Sequence, residues 1–79
     1  MKIKAIPSEH QEALNAISTY IRELRFSEGL TQLELSQQLN LHRNSIQRAE
    51  GGKNMTLLTI FELADAFDIS PTDIISIID

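Results

Sequence analysis

The chain has 79 residues, a net charge of −4 and no cysteine, so a single small domain is expected, with neither disulfides nor thiolate metal sites. Its two imidazoles, His10 and His42, converge with no carboxylate pattern, so no metal or other cofactor is expected, and no apolar run approaches the ~18 residues a membrane span needs. The stretch MKIKAIPSEH lacks the apolar segment of a secretory signal, and a cytoplasmic protein is expected.

Residues 1–7 read as a short amino-terminal arm ahead of a domain over 8–79. In the arm, Lys2 and Lys4 suit contact with phosphates, and Ile3 and Ile6 suit packing against a partner. Ser8 and Gln11 have capping-box spacing, which opens a helix. Leu14, Ile17, Ile21 and Leu24 recur at three- and four-residue steps and line one face of it. Gly29 stops it, so the first helix is expected over about Glu9 to Glu28. Thr31 with Glu34 is a second capping box, and Leu35, Ser36 and Leu39 form the inner face of the helix it opens. Asn40 marks a turn where a left-handed backbone is tolerated. A third helix is expected over Arg43 to Glu50, ended by Gly51-Gly52. Thr56 caps a fourth, carrying Leu57, Ile60, Phe61, Leu63, Ala64 and Phe67, with Asp68 at its stop. Ser70 and Pro71 supply a cap and a first-turn proline for a fifth, which carries Ile74, Ile75, Ile77 and Ile78. Five helices and no convincing strand predict an all-α domain.

Charge is unevenly spread. Between Asn40 and Lys53 three basic residues, Arg43, Arg48 and Lys53, stand against Glu50 alone, a net of +2 that leaves −6 on the rest of the chain. A basic patch on an acidic body still meets phosphates, at the cost of weak non-specific affinity. Successive helical residues are rotated by ~100°, so Arg43, Asn44, Gln47 and Arg48 fall within a polar arc of roughly 140°, with Ile46 and Ala49 opposite. The arc holds no acid. Arginine pairs bidentately with guanine, and asparagine or glutamine with adenine, so these are side chains suited to reading base edges. A short capped helix, a tight turn and a second helix with such a face form the pattern of a helix-turn-helix, which lays its second helix in the major groove of DNA.

From about Ile21 to Ile78 the chain resembles the phage Cro/repressor-type (XRE) helix-turn-helix family. The resemblance is carried by GLTQLELS at Gly29–Ser36, the apolar positions Leu39, Leu41 and Ile46, the end Glu50-Gly51-Gly52, and TLLTIFELADAFDIS at Thr56–Ser70. It implies a five-helix lambda-repressor-like domain whose second and third helices form the motif. It also implies that Arg43, Asn44, Gln47 and Arg48 read bases, while Gln32, Lys53 and Asn54 meet phosphates. Arg25 and Glu50 resemble a family ion pair tying the first helix to the end of the third. Three positions depart from the pattern. Asn40 stands where glycine is usual, Ser36 where alanine is usual, and its hydroxyl needs a partner such as a carbonyl four residues back. His42 replaces the usual serine or threonine cap, and its ring either caps weakly or reaches a phosphate. Relative to the family, the first helix begins early, with Ser8 to Ala16 an added turn or two.

A domain this small buries only about 60% of the surface its unfolded chain exposes. Ile74, Ile75, Ile77 and Ile78 span more than one helical face, so a two-fold dimer through the fifth helix is expected, pairing two reading helices on a near-palindrome. The expected function is a sequence-specific DNA-binding regulator acting as a homodimer, of restriction–modification controller or prophage-repressor type. The alternative is the antitoxin of a toxin–antitoxin pair, with the acidic body and isoleucine-rich end meeting a basic toxin. No nucleophile–base pair, metal set or phosphate loop suggests an enzyme.

Overall fold

The computed structural model describes residues 6–78 and contains five α-helices: α1 (Ser8–Ser27), α2 (Gln32–Leu39), α3 (Arg43–Glu50), α4 (Leu57–Ala66) and α5 (Pro71–Ile75), followed by a 3₁₀ turn over Ser76–Ile78. The expectations placed on Lys2, Ile3 and Lys4 lie outside the described residues. Among the described residues, no helix is long and apolar enough to cross a membrane.

Local chemistry explains most boundaries. The Thr31 hydroxyl accepts from the Glu34 N–H (3.1 Å), and the Glu34 carboxylate accepts from the Thr31 N–H (2.9 Å), which completes the capping box of α2. That N–H, and then the Thr31 hydroxyl, hold the Glu34 carboxyl below the usual carboxylate range. Asn40 ends α2 in the left-handed region at φ 54°, ψ 38°, a conformation asparagine tolerates. Thr56 caps α4 by accepting from the Thr59 N–H (3.1 Å). Asp68 follows α4 with φ 54°. Ser70 accepts from the Thr72 N–H and donates its own N–H to Asp73 (3.0 Å), which opens α5 at Pro71.

The start of α1 differs from expectation. Ser8 is already helical, Pro7 takes the cap position with no side-chain bond, and Gln11 makes no capping box. Its amide is drawn instead to the far side of the fold, to the Gly52 carbonyl. Ser36 also finds a nearer partner than expected, the Leu33 carbonyl three residues back (2.7 Å).

The core is one cluster: Ile17 and Ile21 of α1, Leu35 of α2, Ile46 and Ala49 of α3, Ile60, Leu63 and Ala64 of α4, and Ile74 of α5. α3 therefore rests on α1 and α2, while α5 and the 3₁₀ turn close over α1. On α4, Ile60, Leu63 and Ala64 are buried, whereas Leu57, Leu58 and Phe61 are exposed. The fifth helix is corrected. It lasts only five residues before tightening into the 3₁₀ turn. Ile74 is fully buried in its own core and is not available to a partner, whereas Ile75, Ile77 and Ile78 stay 39–46% exposed.

Candidate nucleic-acid interface

α3 is held by its apolar side and displays its polar side. Ile46 and Ala49 are fully buried. Arg43, Asn44, Gln47 and Arg48 are all exposed, as the helical rotation predicts. His42 caps the helix: its Nδ1 accepts from the Asn44 N–H at 3.1 Å. An accepting Nδ1 requires a neutral ring with the proton on Nε2, which leaves an Nε2–H donor for a phosphate oxygen. The two roles weighed for His42 are therefore compatible.

The polar residues fall into three neighbouring concavities. Asn44, Gln47 and Arg48 share an open groove with Gly51 and Lys53. Arg48 also borders a smaller recess with Asn54, Ser45, Met55, Thr56 and Thr59. Arg43 lies around the helix, across an open hollow from Gln32 and the α1–α2 turn. The structure thus brings Arg48 together with Lys53 and Asn54, and Arg43 together with Gln32, along one continuous strip. Ser45 and Thr56 join this strip without having been expected there. Short hydroxyl side chains at the margin of a helix face carry no distinctive spacing.

Glu50, the one acid of α3, is removed from the exposed face. Its carboxylate accepts from Arg25 Nε (2.6 Å) and Arg25 Nη2 (2.8 Å), a two-point pair between α1 and α3 in which Glu50 is 3% exposed and Arg25 8%. Arg25 Nη1 donates to the Leu30 carbonyl (2.8 Å), and the Phe26 ring covers the guanidinium at 4.6 Å. The bonds to Glu50 hold the Arg25 guanidinium above its ordinary range against the opposing effect of burial. Gln32 Nε2 donates to Glu50 Oε1 at 3.3 Å, so the Gln32 side chain at the start of α2 is steadied by the same carboxylate. Arg22, not singled out from the sequence, donates to the Glu50 main-chain carbonyl (2.6 Å) and closes the end of α3. Its signal was its place one turn before Arg25 on the same face.

The exposed strip therefore presents Arg43, Arg48 and Lys53 with no acid among them, on a body that is otherwise acidic. Among the described residues, no group of three or more histidine, aspartate or glutamate side chains comes together as a metal site would require. Residues 21–74 match a family model described as "Helix-turn-helix". A comparison with curated proteins gives no match.

Proposed function

The chain belongs to the XRE/Cro-type helix-turn-helix family of DNA-binding transcriptional regulators, and from that premise we propose that it reads a specific, near-palindromic operator as a homodimer. The observation that carries this reading is the exposed face of α3. Four side chains able to pair with base edges project from it, and its only acid is turned inward and neutralised by Arg25. Arg43, Asn44, Gln47 and Arg48 read bases. Gln32, His42, Lys53 and Asn54 meet phosphates on either side and fix the register.

Selection from random DNA with the native chain tests this and supplies the site. On the selected site, Arg48→Ala is expected to cost about 1–3 kcal/mol at one base pair and to relax preference there. Gln32→Ala should weaken all sequences about equally. An Arg48→Ala variant with unchanged affinity and unchanged preference would mean that the reading face is misassigned.

The homodimer draws support from the apolar surface left at the carboxyl end, where Ile75, Ile77 and Ile78 are exposed beside solvent. Covering each with a second copy would contribute about 1.5–3 kcal/mol at full burial. Paired half-sites one helical turn apart, about 34 Å, also require two copies of α3. Ile75→Asp or Ile78→Asp is expected to give folded monomers that hold a single half-site weakly, as sedimentation equilibrium with circular dichroism would show. A native chain that remains monomeric at tens of micromolar without DNA would overturn the preformed dimer.

A further inference from the structure

The amino-terminal half of α1 precedes the family match, which begins at residue 21. Along its whole length α1 carries polar side chains at alternating steps of four and three, Gln11, Asn15, Ser18, Arg22 and Arg25. Such steps keep a stripe on one face of a helix. The stripe runs along the end of α3 and the loop that follows it. Arg25 and Arg22 take the Glu50 carboxylate and carbonyl. Beyond them Ser18 and Gln11 take the two peptide groups that flank Gly52. The Gly52 N–H donates to Ser18 Oγ at 2.9 Å. The Gly52 carbonyl accepts from Gln11 Nε2 at 2.8 Å. Asn15 Oδ1 accepts the second amide hydrogen of Gln11 at 2.9 Å and so aims it.

Gly52 is shaped for this embrace. It is buried, its φ is 70°, and a Cβ there would collide with Asn15 Oδ1. Only glycine combines that backbone with so close an approach. On the α3 side the Gly51 and Lys53 N–H groups both donate to the Arg48 carbonyl (3.2 and 3.3 Å). Lys53, the next residue, is exposed in the groove shared with Asn44, Gln47 and Arg48.

We infer that Gln11 and Ser18 are positioning residues for DNA binding: by holding Gly52 on both sides, at its N–H and at its carbonyl, they fix the loop so that Lys53 meets a backbone phosphate. This rests on the DNA-reading role of α3 proposed above. A merely structural grip would affect stability and leave the Lys53 contact out of account. Gln11, in the added turns of α1, thus acts on DNA binding through Gly52 and Lys53.

The test uses the native full chain, Gln11→Met, Ser18→Ala, Lys53→Ala and the double variant Gln11→Met/Lys53→Ala. The probe is a duplex of about 20 base pairs, two helical turns, recovered by selection with the native chain and titrated across a series of salt concentrations. Gln11→Met keeps the length and helix preference of the side chain and removes its amide, so it carries the test if Ser18→Ala fails to fold. Gln11→Met and Lys53→Ala are each expected to weaken binding about three- to tenfold. Each should also lower the salt slope by about one. The double variant should be no weaker than Lys53→Ala alone. Losses that add in the double variant, or a native salt slope in Gln11→Met, would overturn the inference. A native chain that binds no duplex at low salt sinks the DNA reading, and with it the role of Lys53. Amide exchange in the free protein reads the grip separately. Faster exchange at Gly52 and Lys53 in Gln11→Met, with Ala49 unchanged, supports it, and unchanged exchange at Gly52 refutes it.

Discussion

Glu50→Ala is expected to remove about 3–5 kcal/mol of folding stability, because it leaves the Arg25 guanidinium buried without its counter-charge. The native pair is a two-point contact at 2.6 and 2.8 Å with both partners nearly out of solvent. The substitution strips two of the guanidinium's bonds and leaves only the one to the Leu30 carbonyl. It also removes the acceptor facing Gln32. A chain this size has only about 4–12 kcal/mol in total. Each kcal/mol is worth roughly 4–8 °C of Tm in a domain of this length. A fall of at least about 12 °C is therefore expected, and partial unfolding at ordinary temperature follows if native stability is at the low end. Arg25→Met with Glu50→Leu should recover most of the loss, since replacing both charges by apolar groups of similar size removes the desolvation problem. Thermal and urea unfolding of the two single variants and the double would check this. A Glu50→Ala chain within about 1 kcal/mol of native would mean the pair acts as a solvated surface bridge.

That pair also shows what was legible in the sequence. Arg25 and Glu50 could be joined only through the family resemblance, because they are 25 residues apart and no local pattern links them. Features set by neighbouring residues were readable directly. The Thr31–Glu34 capping box, the left-handed Asn40, the Thr56 cap and the Ser70-Pro71 start all depend on backbone groups within four positions. The two faces of α3 were readable for the same reason, since eight residues of regular helix obey one rotation. Gln11 was misjudged because its spacing from Ser8 fits a cap while its actual partner lies 41 residues away. Ile74 was grouped with Ile75, Ile77 and Ile78 as a dimer contact because the fifth helix was carried on past Ile75. There the chain tightens into a 3₁₀ turn and the faces no longer repeat every 3.6 residues. On α4, Leu57, Leu58 and Phe61 are apolar but exposed, and periodicity alone does not say which side of an apolar helix finds the core.

The two faces of α3 make a second large effect separable from the first. Ile46→Ala is expected to cost about 2–5 kcal/mol, from lost transfer free energy and the cavity left behind. Ile46 has no exposed surface and sits in the cluster built by Ile17, Ile21, Leu35, Leu63 and Ile74. None of the proposed base-reading side chains is altered. The variant should therefore bind more weakly, in part because fewer molecules are folded, yet select the same DNA sequence as the native chain. Ile46→Val keeps most of the volume and should cost only about 0.5–1.5 kcal/mol. Arg48, two residues on and exposed, should behave in the opposite way: a Tm near native and an altered base preference. Melting curves paired with selection from random DNA on the three variants give a two-by-two outcome. A change of preferred sequence in Ile46→Ala as large as that in Arg48→Ala would show that seating and reading are not divided between the two sides of this helix. An unchanged Tm in Ile46→Ala would show that α3 is not held by its apolar side at all.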